Sequence, residues 1–487
     1  MGSSSATTTH IRFGVIGRRA VAAAAFVSFC SAPLLVQAGT GDLDPQFGNQ
    51  GHVAVTGNTG PSVLELPDGR ILVLGTADPR PDAQSGDVVV HRYLASGQPD
   101  TAFGMGGRVV VHLPVQRPAI SAAARQPDGN VVIAGADSNG PFVARLSASG
   151  AIDESFGSAG VARPNPPGGT EPFYSSVLVL AEGDVLATIS DWTSDRVDHW
   201  DATGRYLGDL MREQLAPARA ARQSDGRLVV AVYNRLLKKQ GVVRLESDGS
   251  VDFSFGEHGF AAIDDDYLSN LAVEPDTDRI VLCGPGLVRL TGDGHLDTTF
   301  GLQGTGYVRF GSDSVPAFDY CHRVLTTWNG DIVFIGVRAG QAVDGSDRAY
   351  VAGLTSSGLA NLSIGSGTGA SEIRIGAIHG ARDGWFDFSS AFIRTHDGDA
   401  LLTWMTDTGL QLARIELDGG NGTEVWPATP PPPPSQPPAS PPPAPTPTPT
   451  VDQGSNGGGG ALGWFDLVLI LFGCSLRSAR VSCTVTD

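Results

Sequence analysis

Three consecutive carboxylates, Asp264, Asp265 and Asp266, form the densest acidic cluster of the chain in the stretch IDDDY. Carboxylates gathered in a loop supply the oxygen ligands that Ca2+ takes. This is the metal-site candidate, and a solvated acidic loop is its ordinary and stronger explanation. Tryptophan offers a second chemistry, because an exposed indole stacks on sugar rings. Of Trp192, Trp200, Trp328, Trp385 and Trp404, we take Trp192, Trp328 and Trp385 as ligand-contact candidates. Burial is the commoner fate of Trp in a β-rich fold. Other reactive constellations are missing: the sequence has no Gly-x-Ser-x-Gly, His-Glu-x-x-His, Cys-x-x-Cys or P-loop. Its ten histidines are scattered. The segment GSGTGAS (Gly365 to Ser371) lacks the strand–helix setting of a dinucleotide loop and reads as a turn. No catalytic or cofactor-binding residue is assigned, and no cofactor other than Ca2+ is entertained.

The bulk properties narrow the class. The chain has 487 residues, 64 glycines and only 17% charged residues, a turn-rich profile unlike that of a helical enzyme. A net charge of −18 repels phosphate backbones, so nucleic acid is disfavoured and not expected as a partner.

What must position these residues is a repeat. The phrase Asp-x-x-Phe-Gly returns in LDPQFG (from Leu43), PDTAFG (Pro99), IDESFG (Ile152), VDFSFG (Val251) and LDTTFG (Leu296). Each copy follows a small-residue turn. The eight turn glycines are Gly41, Gly97, Gly150, Gly204, Gly249, Gly294, Gly358 and Gly419, 54 residues apart on average. A second turn falls once inside every interval, as in LPDGRILVLG, QPDGNVVIAG and QSDGRLVVAV. In the fifth copy an extra residue widens it around Thr277 and Asp278. Between turns lie short runs of Val, Ile, Leu and Ala, four per unit, without a 3.6-residue period. Seven such units predict an all-β fold, a seven-bladed β-propeller.

In this reading the glycines take the positive φ of tight turns, and each phrase Asp caps local amides. The anchors Phe47, Phe103, Phe156, Phe255 and Phe300 wedge between neighbouring sheets. In the weaker copies, Leu207/Leu210 and Asn361/Ile364 occupy the equivalent stretch. The ring is expected to close by pairing Gly51 to Val55 with a last strand near Leu412 to Asp418, or with Thr423 to Trp426. Cys283 and Cys321 either pair or remain two buried thiols.

The combination of LDTTFG, QPDG-x-VVIAG and ARL with Ser-Gly resembles the bacterial delta-60 repeat family over roughly residues 41–419. The resemblance implies exported, propeller-like repeats and no defined activity.

The ends of the chain read as addresses. Arg12, Arg18 and Arg19 precede an apolar run, and Val36-Gln37-Ala38 supplies a cleavage site after Ala38. Residues 1–38 are therefore expected to be a signal peptide, and residues 39–426 the propeller. From Pro427 to Thr450, 14 of 24 residues are Pro. Residues 427–456 then form an extended Pro- and Gly-rich linker, the Pro run spanning roughly 75 Å. Gly457, Gly458, Gly459 and Gly460 lead into an apolar stretch, Ala461 to Cys474, followed by Arg477 and Arg480. Residues 457–480 resemble a GlyGly-CTERM sorting segment, with 481–487 a short tail. That resemblance implies a Gram-negative envelope, transient membrane insertion through this segment and cleavage by a rhombosortase-type protease. It places the mature protein at the cell surface or outside the cell.

The expected role is non-enzymatic binding or scaffolding of a protein or glycan partner. The rivals are a secreted propeller enzyme acting on polysaccharide, a lyase or glycosidase, and a structural envelope or matrix component.

Overall fold

The computed structural model describes residues 40–417, apart from segments 57–58, 78–86, 166–173, 190–195, 211–214, 265–269, 312–315, 339–347, 374–390 and 407–408 and residues 181 and 247. The expected signal peptide, linker and sorting segment lie outside the described residues. These residues hold seven four-stranded antiparallel sheets and no α-helix. The fold is the seven-bladed β-propeller that the turn spacing predicts.

Within each blade the strands follow chain order as a meander. Blade one comprises Thr59–Glu65, Ile71–Thr76, Val88–Tyr93 and Arg108–Val111. The first strands of the other blades are Ala119–Arg125, Tyr174–Val179, Leu215–Arg222, Asn270–Val273, Tyr320–Thr326 and Ala391–Arg394. Each first strand touches the first strands of both neighbouring blades, so the seven surround a central axis. The core is divided accordingly. The buried side chains form seven clusters, each shared by two adjacent blades, so the blades are held by their seams.

The ring closes through the N-terminus. His52–Val55 is the fourth strand of blade seven, pairing antiparallel with Gly409–Ile415, His52 opposite Ala413 and Val55 opposite Leu410. The sequence unit and the blade are therefore offset by one strand. A unit read from its turn glycine carries the last strand of one blade and the first three of the next. Val161–Ala162, which opens the unit beginning at Gly150, belongs to blade two.

The repeated phrase does more than cap a turn. In Asp252, Oδ1 accepts the Ser254 amide at 2.9 Å, while Oδ2 accepts Arg244 Nε at 2.8 Å. The Arg244 guanidinium then lies over the Phe255 ring, 4.8 Å from its centroid. The same Arg–Asp–Phe stack recurs at Arg92/Asp100/Phe103, Arg145/Asp153/Phe156 and Arg289/Asp297/Phe300. The five phrase phenylalanines are almost fully buried. Each sits on the turn glycine of the following blade. A Cβ on Gly97, whose φ is 76°, would meet the Phe47 ring at 3.0 Å. Glycine is required there twice over, by the backbone and by the phenylalanine seated on it. Leu210 and Ile364 take this place against Gly249 and Gly41.

Cys283 ends the second strand of blade five and Cys321 lies in the first strand of blade six. They form a disulfide across that seam.

Candidate functional site: the central channel and its open face

A meander places alternate connections at opposite ends of the ring. At one end, the turn between first and second strands has five residues in six blades and six in blade five (274–279). The extra residue is accommodated by Asp278 at φ 56°. The phrase loops lie at the same end, and Arg70 and Arg227 tie the two kinds of turn together through Asp100 and Asp252. At the other end the connections range from two residues (138–139) to eighteen (373–390). One face is stereotyped and built for packing. The other is free to differ from blade to blade.

The channel between the faces is lined by the first strands. Five of these carry a register shift near their middle, between Thr59 and Ser62, Ile120 and Ala122, Tyr174 and Ser176, Pro217 and Arg219, and Cys321 and Arg323. A bulge bends a strand and re-aims the residue beside it. The residues paired with the fourth position of each second strand run Ser62, Ala122, Ser176, Arg219, Asn270, Arg323 and Ala391 around the ring. Five are small or short. Two, from blades four and six, are arginines.

Arg219 and Arg323 are surrounded by protein yet keep solvent contact. Burial alone pushes the Arg219 guanidinium down to about 10. Burial pushes Arg323 down further, and the charge of Arg219 adds to it although blade five lies between them. The register of the first strands puts both residues at the same level of the channel wall, and the charge of Arg219 disfavours that of Arg323. No carboxylate pairs with Arg219 among the described residues. His322, the bulged residue, is held down to about 3 by burial and then by Arg323, so it stays neutral. The Tyr320 ring lies 5.1 Å from it. This end of the channel offers two cations, a neutral imidazole and a phenol.

The sequence-chosen residues are scattered by the fold. Asp264 is exposed, and its Oδ1 accepts Lys239 Nζ at 2.6 Å. Asp265, Asp266, Trp192 and Trp385 lie outside the described residues. Trp328 is half-buried on the stereotyped face, covered by the Arg394 guanidinium 3.6 Å from its ring centroid. Trp200 and Trp404 are core residues, Trp200 set edge-on against Tyr174. Gly365, Gly367 and Gly369 of GSGTGAS take positive φ in the blade-six phrase loop.

One cluster escaped the sequence. Glu65, His396 and Asp397 hold potential ligand atoms within 4.8 Å of one another at the seam of blades one and seven. Glu65 already accepts the His396 amide at 2.7 Å and approaches His396 Nδ1 at 2.6 Å. Asp397 pairs with Arg414. These contacts describe a tie between blades. A shallow groove of about 440 Å³ also runs past Ser155, Arg163 and Arg205. Its arginines are engaged by Asp137 and Asp201.

Residues 66–103 and 126–156 match the family described as a domain of unknown function (DUF5122) beta-propeller. These spans hold the second turns and phrase copies of the first two blades. No curated protein matches the chain. Among solved structures, a virginiamycin B lyase from Staphylococcus aureus is similar at 12% identity and a TM-score of 0.48, covering 75% of this chain and 98% of that one. The polysaccharide lyase Uly1 is similar at 11% identity and 0.43, covering 79% and 94%. A chain of a nidogen/laminin complex is similar at 15% identity and 0.32, covering 57% and 88%.

Proposed function

We propose that this chain is an exported binding or scaffolding module that holds a protein or glycan partner on the face of unequal connections, over the mouth of the channel. The observation that carries this reading is the division of labour between the two faces. Stereotyped turns and phrase loops lock the blades at one end, while the other carries connections of widely different length around a polar channel. The amino-terminal apolar run and the basic residues before it support export. The Pro-rich run supports display on a spacer, and the glycine run with its apolar stretch supports sorting by a rhombosortase-type protease at Gly457 to Gly460.

A second reading is cleavage of acidic polysaccharide, favoured by Tyr320 and His322 beside Arg323. Against it, an imidazole held down to about 3 is a poor base at neutral pH.

The test is a thermal-shift screen of the purified chain against Ca2+ and neutral and acidic polysaccharides, with reducing ends measured in parallel. A ligand-dependent rise without chain cleavage supports binding. Release of new reducing ends supports the enzyme, and no rise with any saccharide sinks the glycan version.

A further inference from the structure

Blade four carries an apolar tip on the face of unequal connections. Its second strand, Leu228–Asn234, turns into its third, Lys239–Leu245, through Arg235, Leu236, Leu237 and Lys238. Leu236 is 74% exposed and Leu237 54%, and Tyr233, near the end of the strand, is exposed as well. The turn is held without these side chains. Asn234 pairs with Lys239 across the hairpin, Asn234 Oδ1 accepts the Leu237 amide at 3.0 Å, and Lys238 takes a φ of 52°. Among the described residues, the same turn is Ser138-Asn139 in blade two and Gly284-Pro285 in blade five. The repeat therefore asks for no leucine here, and two apolar side chains are left in water.

The cations of the tip are as unusual. The chain of 487 residues has two lysines, Lys238 and Lys239, and both are here, both exposed. Lys239 Nζ reaches the exposed Asp264 at 2.6 Å. Among the described residues no carboxylate pairs with Lys238. Arg235 adds a third positive charge on the other side of the leucines. Structural cation sites in this protein use arginine, as Arg92, Arg145, Arg244 and Arg289 do over their phenylalanines. Lysine differs in keeping a compact, strongly hydrated ammonium in water while its stem lies along apolar surface.

We propose that this tip seats the open face of the propeller on an anionic lipid surface, with Leu236 and Leu237 entering the acyl boundary and the lysines facing the headgroup phosphates. The two leucines are consecutive on a four-residue turn, so they lead the hairpin, and a fluid surface closes around such a point. An apolar point with a phenol behind it and cations on both sides matches the layers of a lipid interface. The chain as a whole carries −18, but charges farther than about 8 Å are screened at physiological salt, so the tip's own cations govern its approach. This inference goes beyond the binding reading above and does not depend on it.

The experiment uses the full-length purified chain and a membrane-impermeant reagent that acylates amines. Modification of Lys238 and Lys239 is read by mass spectrometry with and without vesicles of equimolar phosphatidylcholine and phosphatidylglycerol. The chain has no other lysine ε-amine, so this signal comes from the tip alone. Vesicles are expected to slow acylation. Protection should fall by roughly tenfold for each leucine lost in Leu236→Ser and Leu237→Ser, as expected for a leucine returned to water. It should fall by about fivefold in Lys238→Gln, read at Lys239. Leu362→Ser, at an exposed leucine on the opposite face, should leave it unchanged. Acylation that vesicles do not slow overturns the proposal. Protection that survives the loss of both leucines overturns it too, because the shielding then comes from another part of the chain. Equal protection by phosphatidylcholine alone overturns the anionic assignment. Protection that grows with protein concentration in the absence of lipid assigns the tip to a second copy of the chain and overturns the lipid site.

Discussion

Arg414 Nε lies 3.6 Å from Asp44 Oδ2, joining the last strand of the propeller to a loop at its beginning. The backbone repeats the relationship, with the Asp44 amide donating to the Arg414 carbonyl at 3.0 Å and Leu43 bridging Ile415. Inside the chain the same contacts join Arg92 to Asp100, Arg145 to Asp153, Arg244 to Asp252 and Arg289 to Asp297. The N-terminal phrase therefore supplies the missing end of the seventh blade. Closure needs no special device, because the one-strand offset makes the first strand of the chain the fourth strand of the last blade.

A chain beginning after Val55 lacks both the phrase and the closing strand. It should lose its single cooperative thermal transition and expose blade seven to protease. Retention of one sharp transition at the original midpoint would contradict the role given to His52–Val55.

Phe255 is fully buried against Gly294 and beneath Arg244. Phe255→Ala should cost about 3–5 kcal/mol in denaturant unfolding, the usual range for removing a buried Phe. The control is Met105, which is 90% exposed on a phrase loop. Met105→Ser should stay within about 0.5 kcal/mol of the parent.

Arg289 and Asp297 are both almost wholly buried, with Nε–Oδ2 at 2.8 Å, and Arg289 also reaches Glu274 at 3.1 Å and the Ser356 carbonyl of the next blade. Arg289→Met would leave Asp297 and Glu274 only the partly exposed Arg279, at 3.3 and 3.6 Å. It should cost about 3 kcal/mol, more than an exposed pair would. The exposed pair Lys239–Asp264 is the comparison, and Lys239→Met should be nearly neutral.

Much of the architecture could be read in the sequence because turns are local. Gly97 must take φ 76° whatever surrounds it, so the turn marks survive even where the strands between them drift. The phrase phenylalanines stood out as the large apolar residues of a polar loop. The arginine five residues before Gly97, Gly150, Gly249 and Gly294 did not, because it reads as an ordinary strand residue until its Asp and Phe are folded back onto it. Arg219 and Arg323 were harder still. Their common place on the channel wall depends on a bulge in each first strand, and a bulge leaves no mark in the order of residues. The pairing of Cys283 with Cys321 was equally open, since it depends on two blades meeting.

Reduction, or the double change Cys283→Ser and Cys321→Ser, reopens a loop of 38 residues in the unfolded chain. The chain-entropy relation puts the loss at about 4 kcal/mol. A midpoint that does not move with reductant would show that the two thiols are unpaired in the protein.

Acid should unfold the protein in two stages. His322 is held down to about 3 and His91 to about 4, both mainly by burial, against an ordinary 6.5. The unfolded chain thus binds protons that the folded one refuses, and stability falls as pH drops below 6.5. Asp252 and Asp297 follow. Burial raises both, but hydrogen bonds from Ser254 and Thr299 and the arginines Arg244 and Arg289 outweigh it and leave them below 3.8. Their contribution is present above that value and is lost below it. In His322→Gln the melting midpoint should decline less between pH 6.5 and 4 while the steep loss below pH 4 persists. An unchanged slope in the upper window would refute the assignment of that stage to His322.

The face of unequal connections is the claim on which the functional account turns, and hydrogen exchange tests it most directly. The full-length chain would be labelled with and without saturating oligogalacturonate and compared segment by segment. The account predicts protection in first strands such as Leu215–Arg222 and Tyr320–Thr326, with the turns at 66–70, 126–130 and 223–227 unchanged. Protection confined to those turns and to the phrase loops would contradict it.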